Sequence, residues 1–330
     1  MKVQPLIFII LCLMIGSCNV GSTNGQAESA SVSGSKLDVH NKNFDADSAY
    51  RYIETQVSCG PRVPGTEGHR RCAEFIVSSL RRQGADTIIE QKTTVTAYNG
   101  DRLPINNIMA RFNINAAKRV LLVAHWDTRP WADAEPDKSK HSIPIPGAND
   151  GGSGVGVLLE VARNLGTEVP NIGVDMLFTD AEDYGETGGD DDSWCLGTQY
   201  WVKNMPYETN RLPMYGILLD IVGGQNAKFH REYFSEYFAP KINTEIWAVA
   251  ASSGYGGRFI NETKGAVTDD HVYINQAGIP CVDIIECANP ETGSFPPTWH
   301  TLNDDMNSID RGTLKAVGQT VLNLIYKESK

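Results

Sequence analysis

Val120-Leu121-Leu122-Val123-Ala124-His125-Trp126-Asp127 decides the fold of this chain. The five apolar residues that open it leave no polar face, which is the pattern of a strand buried on both sides of a sheet. His125 and Asp127 stand at its carboxyl end, where open α/β sheets place their sites. Outward from this run the period alternates. Strands are expected at Ile172–Phe178, Tyr215–Val222 and Ile279–Ile285 on the C-terminal side, and at Thr87–Tyr98 and Ile105–Phe112 on the N-terminal side. Helices are expected at Val155–Asn164, Leu196–Val202, Ile242–Ala251 and Leu314–Tyr326. Two more precede the strands. One is capped by Asp47 and Ser48 and ends at Cys59-Gly60-Pro61; the other is capped by Thr66 and runs to Gly84. This alternation predicts a three-layer α/β/α sandwich with a central mixed, largely parallel sheet.

The 330 residues carry 29 Lys+Arg against 40 Asp+Glu, a net charge of −11, with no run of basic residues longer than a pair. Nothing there neutralises phosphates, so nucleic-acid binding is excluded as a function class. Residues 1–17 have the plan of an export signal: Lys2, an apolar run from Leu6 to Ile15, then Gly16 and Ser17. Ile15-Gly16-Ser17-Cys18 resembles a bacterial lipobox, which implies a lipidated Cys18. The chain from Asn19 to about Lys36 is Ser/Gly/Asn-rich and reads as a flexible tether. The expected organisation is a signal peptide at 1–17, the lipidated cysteine and tether at 18–43, and a catalytic domain at 44–330. Asn19 after the cysteine resembles the sorting signal for the outer membrane, facing the periplasm. Seven cysteines reduce to five beyond Cys18, namely Cys59, Cys72, Cys195, Cys281 and Cys287. An oxidising compartment allows up to two disulfides, whose pairing the sequence does not assign.

Unusual residues gather at the expected strand ends. Besides His125 and Asp127 there are Asp180-Ala181-Glu182-Asp183, Asp220, the glycine-rich turn Asp150-Gly151-Gly152-Ser153-Gly154, and Trp299-His300-Thr301. Taken singly, each carboxylate reads as a cap or turn former. Several carboxylates and two imidazoles at one sheet edge need a cation to offset their charge, and a mixed His/carboxylate set suits zinc with an open fourth position. No CxxC, HExxH, GxxxxGK[ST] or GxGxxG is present, and the glycine turn lacks the last glycine of a nucleophile elbow.

Gly60-Pro61-Arg62-Val63-Pro64-Gly65-Thr66-Glu67-Gly68-His69, His125-Trp126-Asp127-Thr128-Arg129, Asn149–Gly154 and Phe178-Thr179-Asp180-Ala181-Glu182-Asp183 resemble the M28 zinc aminopeptidase superfamily in order and spacing. Within it the chain resembles most the animal-type glutaminyl-peptide cyclotransferases. Three segments carry that likeness: Asp269-Asp270-His271, where peptidases usually have Ser-Asp-His; the insertion Tyr184–Leu196; and Phe295-Pro296-Pro297-Thr298-Trp299-His300-Thr301. The resemblance implies one zinc per chain held by Asp150, Asp183 and His300, with Glu182 as general acid/base. It also implies a hydrogen-bonded Asp220–Asp269 pair and a substrate pocket lined by Trp194, Phe295 and Trp299. The implied substrates are peptides and proteins beginning with Gln. Asp183 departs from the mammalian-type cyclases, which have Glu there. His125 and Asp220 occupy positions that hold a second zinc in the peptidases, so a two-zinc aminopeptidase is the alternative. The run Asp190-Asp191-Asp192 is expected as a solvated loop or as an attractor of cationic peptide termini, and Trp126 and Trp131 as packing or recognition.

Overall fold

The computed structural model describes residues 42–208 and 211–329. The expected signal peptide, Cys18 and the Asn19–Lys36 tether lie outside the described residues. No helix of the described residues is long and apolar enough to cross a membrane.

Eight helices and eight strands follow one another as α1 (Ala46–Ser58), α2 (Glu67–Arg82), β1 (Thr87–Thr96), β2 (Arg102–Phe112), β3 (Arg119–His125), α3 (Gly152–Thr167), β4 (Gly173–Thr179), α4 (Leu196–Lys203), β5 (Gly216–Leu219), β6 (Phe229–Arg231), α5 (Tyr233–Phe238), α6 (Pro240–Ser252), β7 (Phe259–Thr263), α7 (Asp270–Gln276), β8 (Cys281–Ile284) and α8 (Arg311–Glu328), with short 3₁₀ turns between some of them. Six strands form one sheet in the order β1-β2-β4-β3-β5-β8. The β1–β2 and β2–β4 pairings are antiparallel, and β3 pairs parallel with both β4 and β5, as β5 does with β8. The sheet is therefore mixed and parallel at its centre, as the sequence predicts.

Every residue of β3 is buried. Its alternate residues feed opposite layers, because successive side chains of a strand point to opposite faces. Val120, Leu122 and Ala124 join the core beneath α1, α2, α3, α6 and α8, while Leu121 and Val123 join a second core with Trp201 of α4 and Ile274 of α7. Those two cores are the two interfaces of a three-layer sandwich.

The local signals hold with adjustments. Asp45 caps α1, accepting from the backbone N–H groups of Asp47 and Ser48, so these two residues sit inside the first turn and are not themselves the cap. Thr66 caps α2 as expected, accepting from His69 N. β5 stops at Leu219, short of the expected Val222, because Ile221 has φ 49° and turns the chain out of the sheet. Sequence periodicity missed α5, α7, β6 and β7, which have seven residues or fewer and so offer too few repeats of a period. β6 and β7 form a separate parallel pair.

α3 lies directly on the centre of the sheet. A Cβ on Gly154 would stand 2.0 Å from Leu219 O and 2.9 Å from Ala124 Cβ, so only glycine permits this approach. Gly154→Ala is expected to force α3 off β3 and β5 and to cost about 1–3 kcal/mol by overpacking. Urea unfolding of the variant should show a lower midpoint at unchanged slope.

Candidate metal centre and substrate cavity

Four chain segments are tied together at the carboxyl edge of the sheet. Asp127, just past β3, accepts from the backbone N–H of Glu182 through Oδ1 and of Asp183 through Oδ2, both at 3.1 Å. Asp304 accepts from the N–H groups of Asn149 and Asp150 at 2.8 and 3.0 Å, fixing the turn before α3. Burial pushes the Asp304 carboxyl up to about 7, and the nearby Asp150 adds to the effect. Gly151 has φ 78°, and a Cβ there would lie 2.6 Å from Asp127 O. The fully buried Arg62 donates to the carbonyls of Trp126, Pro146 and Gly147, bracing the same turn from below. Ala181 (φ 50°) and His300 (φ 54°) are held in the left-handed region, an energetically costly conformation that tends to gather at functional sites.

Asp150, Asp183 and His300 each present a ligand atom within 4.8 Å of the others, and all three residues are buried. His300 Nε2 is 3.1 Å from Asp183 Oδ1 and 3.6 Å from Asp150 Oδ2. Asp150 Oδ2 and Asp183 Oδ2 are buried with no hydrogen-bond partner. Orphaned carboxylate oxygens beside an imidazole are what a bound cation would satisfy. Burial opposes charge on His300, yet Asp183, Asp133 and Asp150 outweigh it and lift its pKa to about 9. The centre thus draws positive charge, and its N/O donor set with three protein ligands fits zinc. Support comes from Asp133, whose Oδ1 lies 3.3 Å from His300 Nδ1 and which also pairs with Arg129. Arg129 is buried and donates to the carbonyls of Asp183 and Gly185.

A second group, His125, Asp150 and Asp220, meets the same proximity test. There the imidazole sits between the carboxylates, with Nε2 3.1 Å from Asp150 Oδ1 and 3.1 Å from Asp220 Oδ1.

Glu182 is buried, and burial pushes its carboxyl well above the ordinary range against the pull of His125. Cys195, itself at φ 55°, places Sγ 3.4 Å from Glu182 Oε1. Asp269 accepts from Asp270 N through Oδ1, while its Oδ2 is buried without a partner. No protein donor satisfies that oxygen, and Asp220 is bonded instead to the His125 imidazole and to Ile221 N, so the hydrogen-bonded Asp220–Asp269 pair implied by the resemblance is not formed here. Burial raises the Asp269 carboxyl well above its usual range, with Asp220 and Asp270 adding to the effect. Behind it the sequence reading missed a further buried array: His271 Nε2 is 3.1 Å from Glu232 Oε2, and its Nδ1 is 3.7 Å from Asp283 Oδ2. Asp133, Asp304 and Glu232 were missed too, and Arg62, though part of a quoted motif, was given no role. Asp133 and Asp304 belong to no strand end, and Glu232 lies on a segment with no periodic signal.

A cavity of about 440 Å³ opens over these groups. Its wall includes Asp150, Glu182, Asp183, Asp220, Asp269 and His300, so every residue of the implied metal and acid/base set faces one space. Trp194, Phe295 and Trp299 line it as well. Trp299 stacks on His300 at 3.5 Å and on Phe295 at 4.7 Å between ring centroids. Trp194 packs against Gly185, where a Cβ would fall 2.0 Å from the indole, and under the Arg129 guanidinium at 4.7 Å. Of the other tryptophans, Trp126 is core: it is fully buried, donates to Asn106 O and stacks on His69. Trp131 packs against Tyr184 and Arg129, outside the cavity wall. All three residues of the acidic run are exposed, and of them Asp191 reaches the cavity.

The model of "Peptidase family M28" matches residues 107–325. The solved structure of a Bacteroides thetaiotaomicron glutaminyl cyclase bound to N-acetylhistamine is 49% identical, superposes with a TM-score of 0.83, and is matched over 98% of its length by 86% of this chain. A Zn-dependent exopeptidase from Parabacteroides distasonis is 50% identical at TM-score 0.83, over 86% of this chain and 99% of that one. The glutaminyl-peptide cyclotransferase of Drosophila melanogaster is 26% identical over 77% of this chain and 73% of that protein.

The contact between Asp133 and His300 yields a prediction. Asp133→Asn removes the charge that orients the imidazole, and loss of such outer partners usually costs 10–100-fold in metal affinity. Competition with a zinc chelator should show a weakening on the order of tenfold or more, with the circular dichroism spectrum unchanged.

Proposed function

The chain belongs to peptidase family M28, and we propose that within it this protein is a glutaminyl-peptide cyclotransferase that converts N-terminal glutamine of peptides and proteins to pyroglutamate with release of ammonia. The observation that carries the reading is the 49% identity over 98% of a glutaminyl cyclase. The aromatic-walled cavity around Glu182 and Asp269 supports it.

The reaction forms a bond from the substrate α-amine to its own γ-carboxamide carbon and breaks the bond from that carbon to the amide nitrogen. A zinc held by Asp150, Asp183 and His300 supplies Lewis acidity toward the γ-carbonyl oxygen when bound. Glu182 takes the proton that the attacking amine loses and returns it to the departing ammonia. Its raised pKa brings it nearer the operating pH, where one carboxyl can do both tasks. Asp269 and Asp220, both raised by burial, line the cavity beside it, and the Asp220 charge adds to the rise at Asp269. Trp194, Phe295 and Trp299 hold the glutamine side chain and exclude water, which would otherwise compete with the amine. One zinc per chain is the proposed stoichiometry, because the likeness to glutaminyl cyclases outweighs the additional ligand-type residues His125 and Asp220.

The second reading, a two-zinc aminopeptidase, is favoured by the His125/Asp150/Asp220 group and by the likeness to a Zn-dependent exopeptidase. One assay separates the two. With a peptide beginning in Gln, loss of a single ammonia from an otherwise intact product supports the cyclase, and release of a free amino acid together with two tightly held zinc ions overturns it. Glu182→Gln should keep zinc and fold while losing about 10²–10⁴-fold in turnover. Activity of the parent should rise with pH through an acid limb above the ordinary glutamate range, because a raised pKa keeps Glu182 protonated, and unable to accept, at lower pH.

Residues 1–18 support an exported chain lipid-anchored at Cys18, and Asn19, by its resemblance to a sorting signal, supports a place at the outer membrane facing the periplasm. A diacylglyceryl group plus an amide-linked chain exceeds the single acyl chain that binds only marginally. Cys18→Ser should move the enzyme out of the membrane fraction with catalysis intact. A wild-type protein that is soluble, with a free amino terminus at or after Cys18, would sink the anchor.

A further inference from the structure

Cys59 and Cys72 face each other across the junction of α1 and α2, separated in sequence by the twelve residues 60–71. Cys59 directly follows the last turn of α1, and Cys72 lies in the second turn of α2. The backbones meet closely here: a Cβ on Gly68 would stand 2.8 Å from Cys59 O, and Arg71 donates to that same carbonyl. Cys72 is four residues beyond Gly68, so one turn of helix places it on the same face. The two thiols lie near enough to perturb each other, and Cys59 Sγ also donates to Thr55 O at 3.5 Å. No other described cysteine has such a thiol partner. Cys195 contacts Glu182, Cys287 contacts Lys264 O, and Cys281 packs against Gly216.

We propose that Cys59 and Cys72 close into a disulfide when the folded chain meets an exchanging disulfide, either a low-molecular-weight one or that of a thiol oxidase. Cys59 is half-buried and accessible, whereas Cys72 is fully buried. The neighbouring Cys72 thiol, helped by Arg71 and Arg62, draws the Cys59 thiol down to about 7, and the same contact drives Cys72 up. This sets the order of events. The Cys59 thiolate attacks one sulfur of the reagent and expels the first thiol. Cys72 then loses its proton, attacks Cys59 Sγ in the mixed disulfide and expels the second. Two protein thiols are oxidised, and one reagent disulfide is reduced to two thiols.

The cross-link encloses Arg62, which braces the Asp150 turn, and Thr66, which caps α2. It therefore restrains the unfolded chain around a support of the metal centre without touching the site itself. Its occurrence in the cell rests on the export proposed above, whereas its chemistry in vitro does not. Failure of one is therefore distinguishable from failure of the other.

The test equilibrates the folded, mature protein with oxidised and reduced glutathione, blocks remaining thiols with iodoacetamide and digests it with trypsin without reduction. Cleavage after Arg51, Arg62, Arg71 and Arg81 isolates peptides 52–62 and 72–81. The expected result is one joined species that separates on reduction, together with a thermal midpoint roughly 5 °C above that of the reduced protein. Cys59→Ser should lack both the joined species and the shift while keeping the turnover of the reduced parent. Recovery of the two peptides separately, with Cys59 glutathionylated or alkylated, would overturn the proposal. So would Cys59 joined to another cysteine, or an undiminished shift in Cys59→Ser.

Discussion

The carboxylate of Asp127 is the contact on which the rest of the site depends. It stands just past the central strand β3 and spends one oxygen on the N–H of Glu182 and the other on the N–H of Asp183. The proposed acid/base and a proposed metal ligand are consecutive residues, so a single bidentate acceptor sets both. Burial makes this clamp stiff, because Asp127 is fully enclosed and breaking either bond would leave a buried polar group unpaired.

Around that clamp the protein concentrates negative charge that folding alone would not tolerate. Asp150, Asp183, Asp220, Glu182 and Asp269 are all buried within one cavity wall. Part of the cost is met by protonation, which burial promotes at Glu182, Asp220 and Asp269. The remainder is met where the orphaned oxygens of Asp150 and Asp183 converge on His300, the place where a cation contributes most. The same arrangement separates the two chemical roles. In the proposed mechanism, carboxyls on the proton-holding side are matched to proton transfer, and those on the metal side to charge neutralisation.

Strain appears where geometry cannot be met by ordinary backbone. Ala181, Cys195, Ile221 and His300 all have positive φ, and each adjoins or is a member of the site. These residues turn the chain abruptly at strand and helix ends, which brings Glu182, Asp220 and the imidazole of His300 into one space. Regular strands continued by even one residue would carry those side chains to the opposite face.

The sequence by itself determined the layered α/β sandwich and the edge at which its chemistry collects. An unbroken apolar run such as Val120–Ala124 has only one stable environment, the centre of a sheet covered on both faces, and polar residues that end such runs must emerge at the strand ends. Glu182 and Asp183, just past the end of such a run, were legible for that reason, whereas Asp150 and His300 stand in a glycine turn and a loop and were singled out by the resemblance of their motifs to the M28 superfamily. Tertiary structure alone decided which groups support them. Asp133 and Asp304 act across 167 and 154 positions of chain, on His300 and Asp150 respectively. Local periodicity contains no term for such contacts. Helices of six or seven residues, α5 and α7, likewise leave no readable period, although α5 follows Glu232 and α7 carries His271 into the buried array behind Asp269. The pairing of Cys59 with Cys72 is of the same kind, since it depends on the angle at which α2 turns back on α1, set by close backbone contact at Gly68 and not by the spacing of the cysteines.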